Sequence, residues 1–245
     1  MAAELYIKLY ICVLLSAVLF VLSGCKNSTN QNALKFAVCA DYPPFEYYEN
    51  GKIVGFDADL ANAIAEKLGK KAVLEDMQLP AILASVHNGL SDAAISALAA
   101  TKERANNYDF STSYYEESFS AVYKENHPVA TLSQLSEAKV VCQLGSSMEI
   151  WLKSNNIPHN TIDNNNQAIE SLKAGHVDCV FMDEIQARAF CKNNPGLQNS
   201  HIAKSGDGYS ILVKKGSSLK KDIDGALKEL EADGTIEKLK KKYLE

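Results

Sequence analysis

The chain predicts an α/β fold of two similar lobes facing one another across a cleft. Two observations carry this expectation. Apolar, strand-like runs alternate with amphipathic helical segments, the pattern of parallel sheets flanked by helices. One such passage also occurs twice. Ser85-Val86-His87-Asn88-Gly89-Leu90-Ser91-Asp92-Ala93-Ala94-Ile95 and Ser171-Leu172-Lys173-Ala174-Gly175-His176-Val177-Asp178-Cys179-Val180-Phe181 share Ser, Gly and Asp at the same spacing. Each runs from a helix through a glycine turn into an apolar strand.

From the amino end, Leu9 to Leu22 is an apolar run of 14 residues broken only by Cys12 and Ser16. A membrane-spanning helix needs about 20, so the run fits the apolar core of a signal peptide, 1–24, preceded by a weakly basic region (Lys8 offset by Glu4). Leu22-Ser23-Gly24-Cys25 resembles a bacterial lipoprotein processing site, which implies diacylglycerol on the Cys25 thiol and a membrane anchor. Lys26 to Asn32 is polar throughout and reads as a tether, 25–32.

Leu34 to Ala40 predicts a strand, ended by Asp41-Tyr42-Pro43-Pro44. Gly55-Phe56-Asp57 opens a helix with Phe56, Leu60, Ile64 and Leu68 on one face, Asp57 as its cap and Gly69 at its end. Pro80 to Asn88 is a second helix, stopped by Gly89, and Ala93 to Ile95 is the next strand. Ser96 to Arg104 leads from that strand end into a helix start capped by Thr101. In the second half, Lys139 to Leu144 is a strand ending at Gly145-Ser146-Ser147, and Met148 to Asn155 is a helix. Gln167 to Ala174 is a helix stopped by Gly175, Val177 to Met182 a strand, and Glu184 to Lys192 a helix. Lys238, Lys240, Lys241 and Lys242 suit the solvated face of a C-terminal amphipathic helix.

Composition narrows the class. A chain of 245 residues, 47% hydrophobic and 22% charged, is an ordinary folded protein able to bury a core. A net charge of -5 without a long basic run argues against nucleic acid. Of the six cysteines, Cys12 leaves with the signal and Cys25 carries lipid. Cys39, Cys142 and Cys179 lie in apolar runs and read as buried thiols, although export would permit a disulfide among them and Cys191. No zinc-type spacing, G-x-S-x-G, P-loop or H-E-x-x-H motif is present, and no cofactor or metal is expected.

Parallel sheets bind ligands beyond the carboxyl ends of their strands. The cleft would therefore be lined by Cys39 to Tyr42, Ser96 to Ala99, Gly145 to Ser147, and Asp183. These ends offer both signs of charge. By spacing alone Arg104 reads as a solvated surface cation, though it could reach back over its loop. Ser146-Ser147 offers hydroxyls and free N–H groups, or simply caps a helix; Asp183 is a cleft anion or a cap. A buried amino acid would need such a set: an Arg fork and N–H groups for its carboxylate, a carboxylate and carbonyls for its ammonium.

Five passages, in order, carry a family resemblance: Asp41-Tyr42-Pro43-Pro44-Phe45-Glu46, Gly55-Phe56-Asp57-Ala58-Asp59-Leu60, Thr101-Lys102-Glu103-Arg104, Asp109-Phe110-Ser111 with Tyr114-Tyr115, and Asp233-Gly234-Thr235. With them the chain resembles, from about Leu34 to Tyr243, the amino-acid-binding members of the family 3 extracellular solute-binding proteins of ABC importers. The resemblance implies a type II periplasmic-binding-protein fold. Lobe 1 would comprise 33–117 and 209–245, lobe 2 would comprise 118–208, and a two-segment hinge would lie near Glu116 to Phe119 and Ser205 to Ser210. It implies a monomer in the periplasm or at the cell surface that captures a free amino acid and delivers it to a permease by hinge closure. Arg104 would clamp the ligand carboxylate with N–H groups of Ala99 and Ser147. Asp183 would pair with the ammonium, aided by carbonyls of Ser96 and Leu98, and Tyr42 would stack on the side chain.

Some positions depart from the family pattern. Cys39 stands where several relatives carry an acidic residue, Leu79 where some place a second aromatic, and Ala97, Ala99 and Met148 replace commoner polar residues. Glu116 and Glu117 near the cleft mouth either favour a cationic ligand such as arginine or are hinge-surface charge. Two other readings stand beside transport. A dehydratase-like enzyme on this scaffold would need a general acid, for which His87, Glu46 and Glu149 are candidates that read more simply as surface. An amino-acid sensor lipoprotein would feed no transporter.

Overall fold

The computed structural model describes residues 32–245; the signal segment, Cys25 and the tether up to 31 lie outside the described residues. In chain order the strands are β1 (Ala33–Val38), β2 (Asp41–Tyr42), β3 (Glu46–Glu49), β4 (Lys52–Val54), β5 (Lys71–Asp76), β6 (Ala93–Ala94) and β7 (Tyr108–Phe110). They continue with β8 (Tyr115–Lys124), β9 (Val140–Gln143), β10 (His159–Ile162), β11 (Cys179–Asp183), β12 (Leu197–Tyr209) and β13 (Leu212–Lys214). Two five-stranded sheets result, ordered β5-β1-β6-β13-β7 and β10-β9-β11-β8-β12, with a small sheet β2-β3-β4.

The two large sheets share one design. Each has a parallel trio (β5-β1-β6 and β10-β9-β11) extended by two antiparallel strands. The twice-occurring sequence passage leads into the equivalent third strands, β6 and β11. Its aspartates do the same work: Asp92 Oδ2 accepts from Lys35 N at 2.9 Å, and Asp178 Oδ2 accepts from Lys139 N at 2.7 Å. The paired glycines have positive φ, 71° at Gly89 and 80° at Gly175, which ends each helix without a Cβ penalty.

Both faces of the central strands are buried, so they read as continuous apolar runs. Leu34, Phe36 and Val38 of β1 pack on one side, and Ala37 with Cys39 on the other. In β11, Cys179 and Phe181 face one way and Val180 and Met182 the opposite way. Burying each large side chain contributes about 1.5–3 kcal/mol. The four cysteines Cys39, Cys142, Cys179 and Cys191 are free thiols, the first three buried and Cys191 half-buried.

The expected helices form at Phe56–Lys67, Leu79–His87, Ser147–Ser154, Asn165–Ala174 and Glu184–Asn193. Leu219–Ala232 and Thr235–Tyr243 add two C-terminal helices, the last carrying the clustered lysines. One cap differs from expectation. Asp57 makes no capping bond; Gly55 sits at the cap position, and Asp57 turns inward to a buried polar cluster. The reason is space: Gly55 (φ 124°) lies so close to the loop of Phe45 that a Cβ there would meet Phe45 O at 2.2 Å. The sequence reading expected four strands, β1, β6, β9 and β11; the other nine lie outside it, β2, β3, β4, β7, β10 and β13 being short and β5, β8 and β12 carrying polar or charged residues along their length.

β8 and β12 pair antiparallel from Leu197–Lys124 to Tyr209–Tyr115, with register shifts between His201 and Ala203 and between Lys204 and Gly208. At its far end this strand pair meets the loop after β6: Ser210 N donates to Leu98 O, and Ala100 N to Gly208 O. The pair therefore leads from the second sheet to the loop after β6 in the first.

Candidate functional site

The carboxyl ends of β1, β6 and β9 converge with Leu79 and Arg104. Cys39, Tyr42, Leu79, Ser96, Leu98, Arg104 and Ser147, all anticipated, line one cavity between the two large sheets, together with Ala97, Gln143, Ser146 and Met148. Its volume is about 20 Å³, room for roughly one water. Anything much larger than a water therefore enters only when the two sides part.

Arg104 is not the solvated surface cation that spacing suggested; it is 5% exposed. Thr101 caps its short helix, accepting from Arg104 N at 3.3 Å, as expected. The side chain then folds back over the loop. Nη1 donates to Ala99 O and Nη2 to Gly145 O, each at 2.9 Å, the second bond crossing between the sheets. Nε is buried without a partner. Burial lowers the guanidinium's pKa, and the nearby Glu117 charge opposes that shift.

Asp183 is both things the sequence allowed. Its Oδ1 caps the helix Glu184–Asn193, accepting from Ile185 N at 2.8 Å and Gln186 N at 3.3 Å. Its Oδ2 is buried without a partner, which is costly unless a cation or donor meets it. Burial pushes its pKa up to about 6, partly offset by the nearby Tyr209 hydroxyl and the capping N–H groups. Asp183 does not itself line the cavity. Ser146 caps the helix Ser147–Ser154 through Glu149 N at 3.2 Å, which leaves Ser147 to face the cleft. The Leu98 carbonyl accepts from Ser210 N at 2.9 Å, leaving one lone pair. Ala99, fully buried, meets the site through its carbonyl bond from Arg104.

Several charged residues sit elsewhere than expected. Glu46 and Glu149, read as surface, are buried at 0% and 6% exposure, while His87 is exposed. Glu46 Oε1 accepts from Ser96 Oγ at 2.7 Å, and Ser96 Oγ accepts from Cys39 N at 3.0 Å. Asp57 Oδ2 accepts from Ala97 N at 2.7 Å and Tyr114 Oη at 2.9 Å. This pins Ala97 at a left-handed φ of 45°, a conformation costing a non-glycine residue about 1 kcal/mol or more. Burial, then the neighbouring carboxylate Asp57, raises Glu46 well above its ordinary pKa; burial pushes Asp57 up to about 6. Glu149 Oε2 accepts from Gly145 N at 2.6 Å and so shapes the Gly145 turn. Glu116 is exposed, but Glu117 is buried rather than hinge-surface charge.

Sequence reasoning missed the opposite wall. Gln143 Nε2 lies 3.8 Å from Cys39 Sγ, and Asn164 Nδ2 donates to Asp41 Oδ2 at 2.6 Å, both across the cleft. Asn165 Nδ2 donates to Gln143 Oε1 and Gln186 Oε1, each at 3.2 Å. The available signal was Gln143, a lone amide ending an apolar strand. Cys39 donates to Asp41 Oδ1 at 3.2 Å, and burial followed by the Asp41 charge raises its thiol pKa strongly. Among the described residues, no group of three or more His, Cys, Asp or Glu side chains is placed to hold a metal ion.

Comparison with known proteins gives one consistent result. The family model described as "Bacterial extracellular solute-binding proteins, family 3" matches residues 34–245. The arginine-binding extracellular protein ArtP of Bacillus subtilis (strain 168) is 33% identical over 96% of this chain and 98% of its own length. Two solved structures share the fold. An ancestral arginine-binding protein bound to arginine is 36% identical with a TM-score of 0.82, covering 88% of this chain and 99% of its own. An ancestral arginine-binding protein bound to glutamine is 37% identical with a TM-score of 0.82, covering 87% and 98%.

Proposed function

The chain belongs to the bacterial extracellular solute-binding proteins, family 3, and from that premise we propose that it captures a free amino acid and presents it to an ABC transporter permease. One observation carries the reading. Two oppositely charged, buried side chains, Arg104 and Asp183, each hold a polar atom without a partner beside the same cleft. A zwitterion would supply both missing partners: its carboxylate to Arg104 with the Ser147 and Ala99 N–H groups, its ammonium to Asp183 with the Ser96 and Leu98 carbonyls. Charge-assisted bonds of this kind are roughly twice as strong as neutral ones. Tyr42, Cys39 and Leu79 border the space left for the ligand side chain.

Arginine is the ligand we assign first, because relatives named for arginine match nearly the full chain. Glutamine is a second ligand worth testing, since a similar protein has been seen bound to it. Closure would work through β8 and β12, the register shift at Lys204–Gly208 marking where the pair bends. Lobe 1 would then be 33–117 and 209–245, and lobe 2 118–208. We read the protein as a monomeric receptor without catalytic activity, held to the membrane by diacylglycerol on Cys25.

A thermal-shift screen of the protein against the twenty amino acids tests the reading. A ligand that binds the folded state stabilises it by about 2.7 kcal/mol at a hundredfold excess over its Kd. Strong shifts with one or a few amino acids support it; a flat response from folded, ligand-free protein overturns it. The anchor is tested separately by intact mass, which should show a diacylglyceryl adduct that Cys25→Ser abolishes.

A further inference from the structure

β8 carries a carboxyl group, bonded to the cleft residue Ser147, that the amino-acid clamp does not use. Glu117 is buried, and its Oε1 accepts a hydrogen bond from Ser147 Oγ at 2.5 Å. Its Oε2 is buried without a partner, and so is Arg104 Nε. Ser147 and Arg104 are two of the three residues assigned above to the ligand carboxylate, Ala99 being the third. Glu117 thus holds the hydroxyl of the residue whose N–H is assigned to the ligand carboxylate, with a free oxygen to spare.

We propose that Glu117 is a further residue of the ligand site, engaging the amino acid's carboxylate as a protonated carboxyl beside Ser147 and Arg104. The inference rests on the amino-acid reading above. Two ionised carboxylates on one serine, one at its hydroxyl and one at its N–H, repel each other in a buried space. Protonation removes that repulsion and turns Glu117 into a donor to the ligand. The proton comes from solvent, and no other bond is made or broken.

The surroundings agree. Burial pushes Glu117 up to about 7, opposed by Ser147, the neighbouring Ser205 and the Arg104 charge, and reinforced by the Asp183 charge. Arg104 faces it from the helix Lys102–Ala105 and Asp183 from the end of β11, with the Tyr42 and Tyr209 hydroxyls close by. Glu103 and Asp207 lie further out around Arg104.

The sign follows from linkage. A ligand carboxylate raises the pKa of Glu117 above its value in the free protein, so the complex holds the proton more tightly. Affinity is then full below about 7 and falls as pH rises through that value. Asp183 must be ionised to pair with the ammonium, so affinity also falls below about 6. Binding has an optimum between the two.

The test is calorimetry of the full chain, purified in detergent, with L-arginine at pH 6.5, 7.5 and 8.0. Wild-type affinity should fall about three- to tenfold across this range, with net proton uptake seen as binding heats that depend on buffer ionisation. Glu117→Gln should bind with an affinity that no longer changes over the range. A wild-type affinity flat with pH, no proton uptake, or a Glu117→Gln profile matching wild type overturns the inference. The proton count needs only the wild type, so it decides the matter should the variant fail to fold. If no amino acid binds at any pH, the receptor reading fails as well; binding without pH dependence fails this inference alone.

Discussion

Arg104 Nη2 donates to the carbonyl of Gly145 at 2.9 Å, so a guanidinium from the loop after β6 is tied to the strand end of β9 in the other sheet. With Asn164 Nδ2 on Asp41 Oδ2, this bond holds the cleft shut. The bond is not the strongest available to Arg104, since a carbonyl is a dipole and a carboxylate a full charge. The ligand carboxylate of the proposed function would therefore replace Gly145 at a net gain.

It follows that Arg104→Ala and Asp183→Ala should each weaken amino-acid binding by about 2–5 kcal/mol. That is enough to move a micromolar site, worth about 8 kcal/mol, towards millimolar. Calorimetric titration measures this directly. Wild-type affinity in both variants would remove these residues from the site.

Gly55→Ala should destabilise the fold severely, by several kcal/mol. The added Cβ meets Phe45 O at 2.2 Å and the backbone φ is 124°. Gly69→Ala, with positive φ but nothing within 4 Å of its Cβ, should cost only about 1 kcal/mol. Paired denaturant melts check the ranking, which reverses if the close approach is unimportant.

Asp57→Ala should loosen the binding loop as well as the fold. It frees Ala97 N and Tyr114 Oη, both bonded to Asp57 Oδ2, at about 1–3 kcal/mol for the groups left unpaired. Because Ala97 lines the cleft, ligand affinity should drop too. Unchanged affinity would show that the strained turn at Ala97 is not needed for binding.

Lowering the pH should stabilise the ligand-free protein. Burial pushes Glu117 up to about 7 and Asp57 and Asp183 up to about 6, whereas unfolded carboxyls titrate near 4. Folded protein therefore binds more protons between about 4 and 7. The resulting stability is complete below about 4 and is lost as pH rises through 6 to 7, at up to about 1.4 kcal/mol per unit for each group. Carboxylates held low, such as Asp233, kept at about 2 by Thr235 and Lys67, titrate below this window. Tm should rise from pH 7.5 to pH 5.5; a falling Tm refutes the protonated cluster.

Much of the architecture was legible because its signals are local. The Ser-Gly-Asp passage foretold two sheets of one design, since each aspartate bonds the start of its neighbouring strand and each glycine supplies the same left-handed turn. Thr101, Ser146 and Asp183 cap helices by bonds reaching two or three residues along the chain. Asp57 was misread because the sequence has no record of how tightly the Phe45 loop crosses Gly55.

The sequence by itself determined the α/β class, the internal repeat, the family pattern and three of the four strand ends expected to line a cleft, Asp183 not lining the cavity. Only the tertiary structure decided the fate of the charges. Arg104, Glu46, Glu117 and Glu149 all look like surface residues in a local window, yet each is buried. For three of them a partner comes from far along the chain: Ser96 for Glu46 is 50 residues away, Gly145 for Arg104 is 41, and Ser147 for Glu117 is 30, whereas Glu149 bonds locally to Gly145 and Lys153. A charge is buried or solvated according to what folds over it, and periodicity over a few residues carries no information about that.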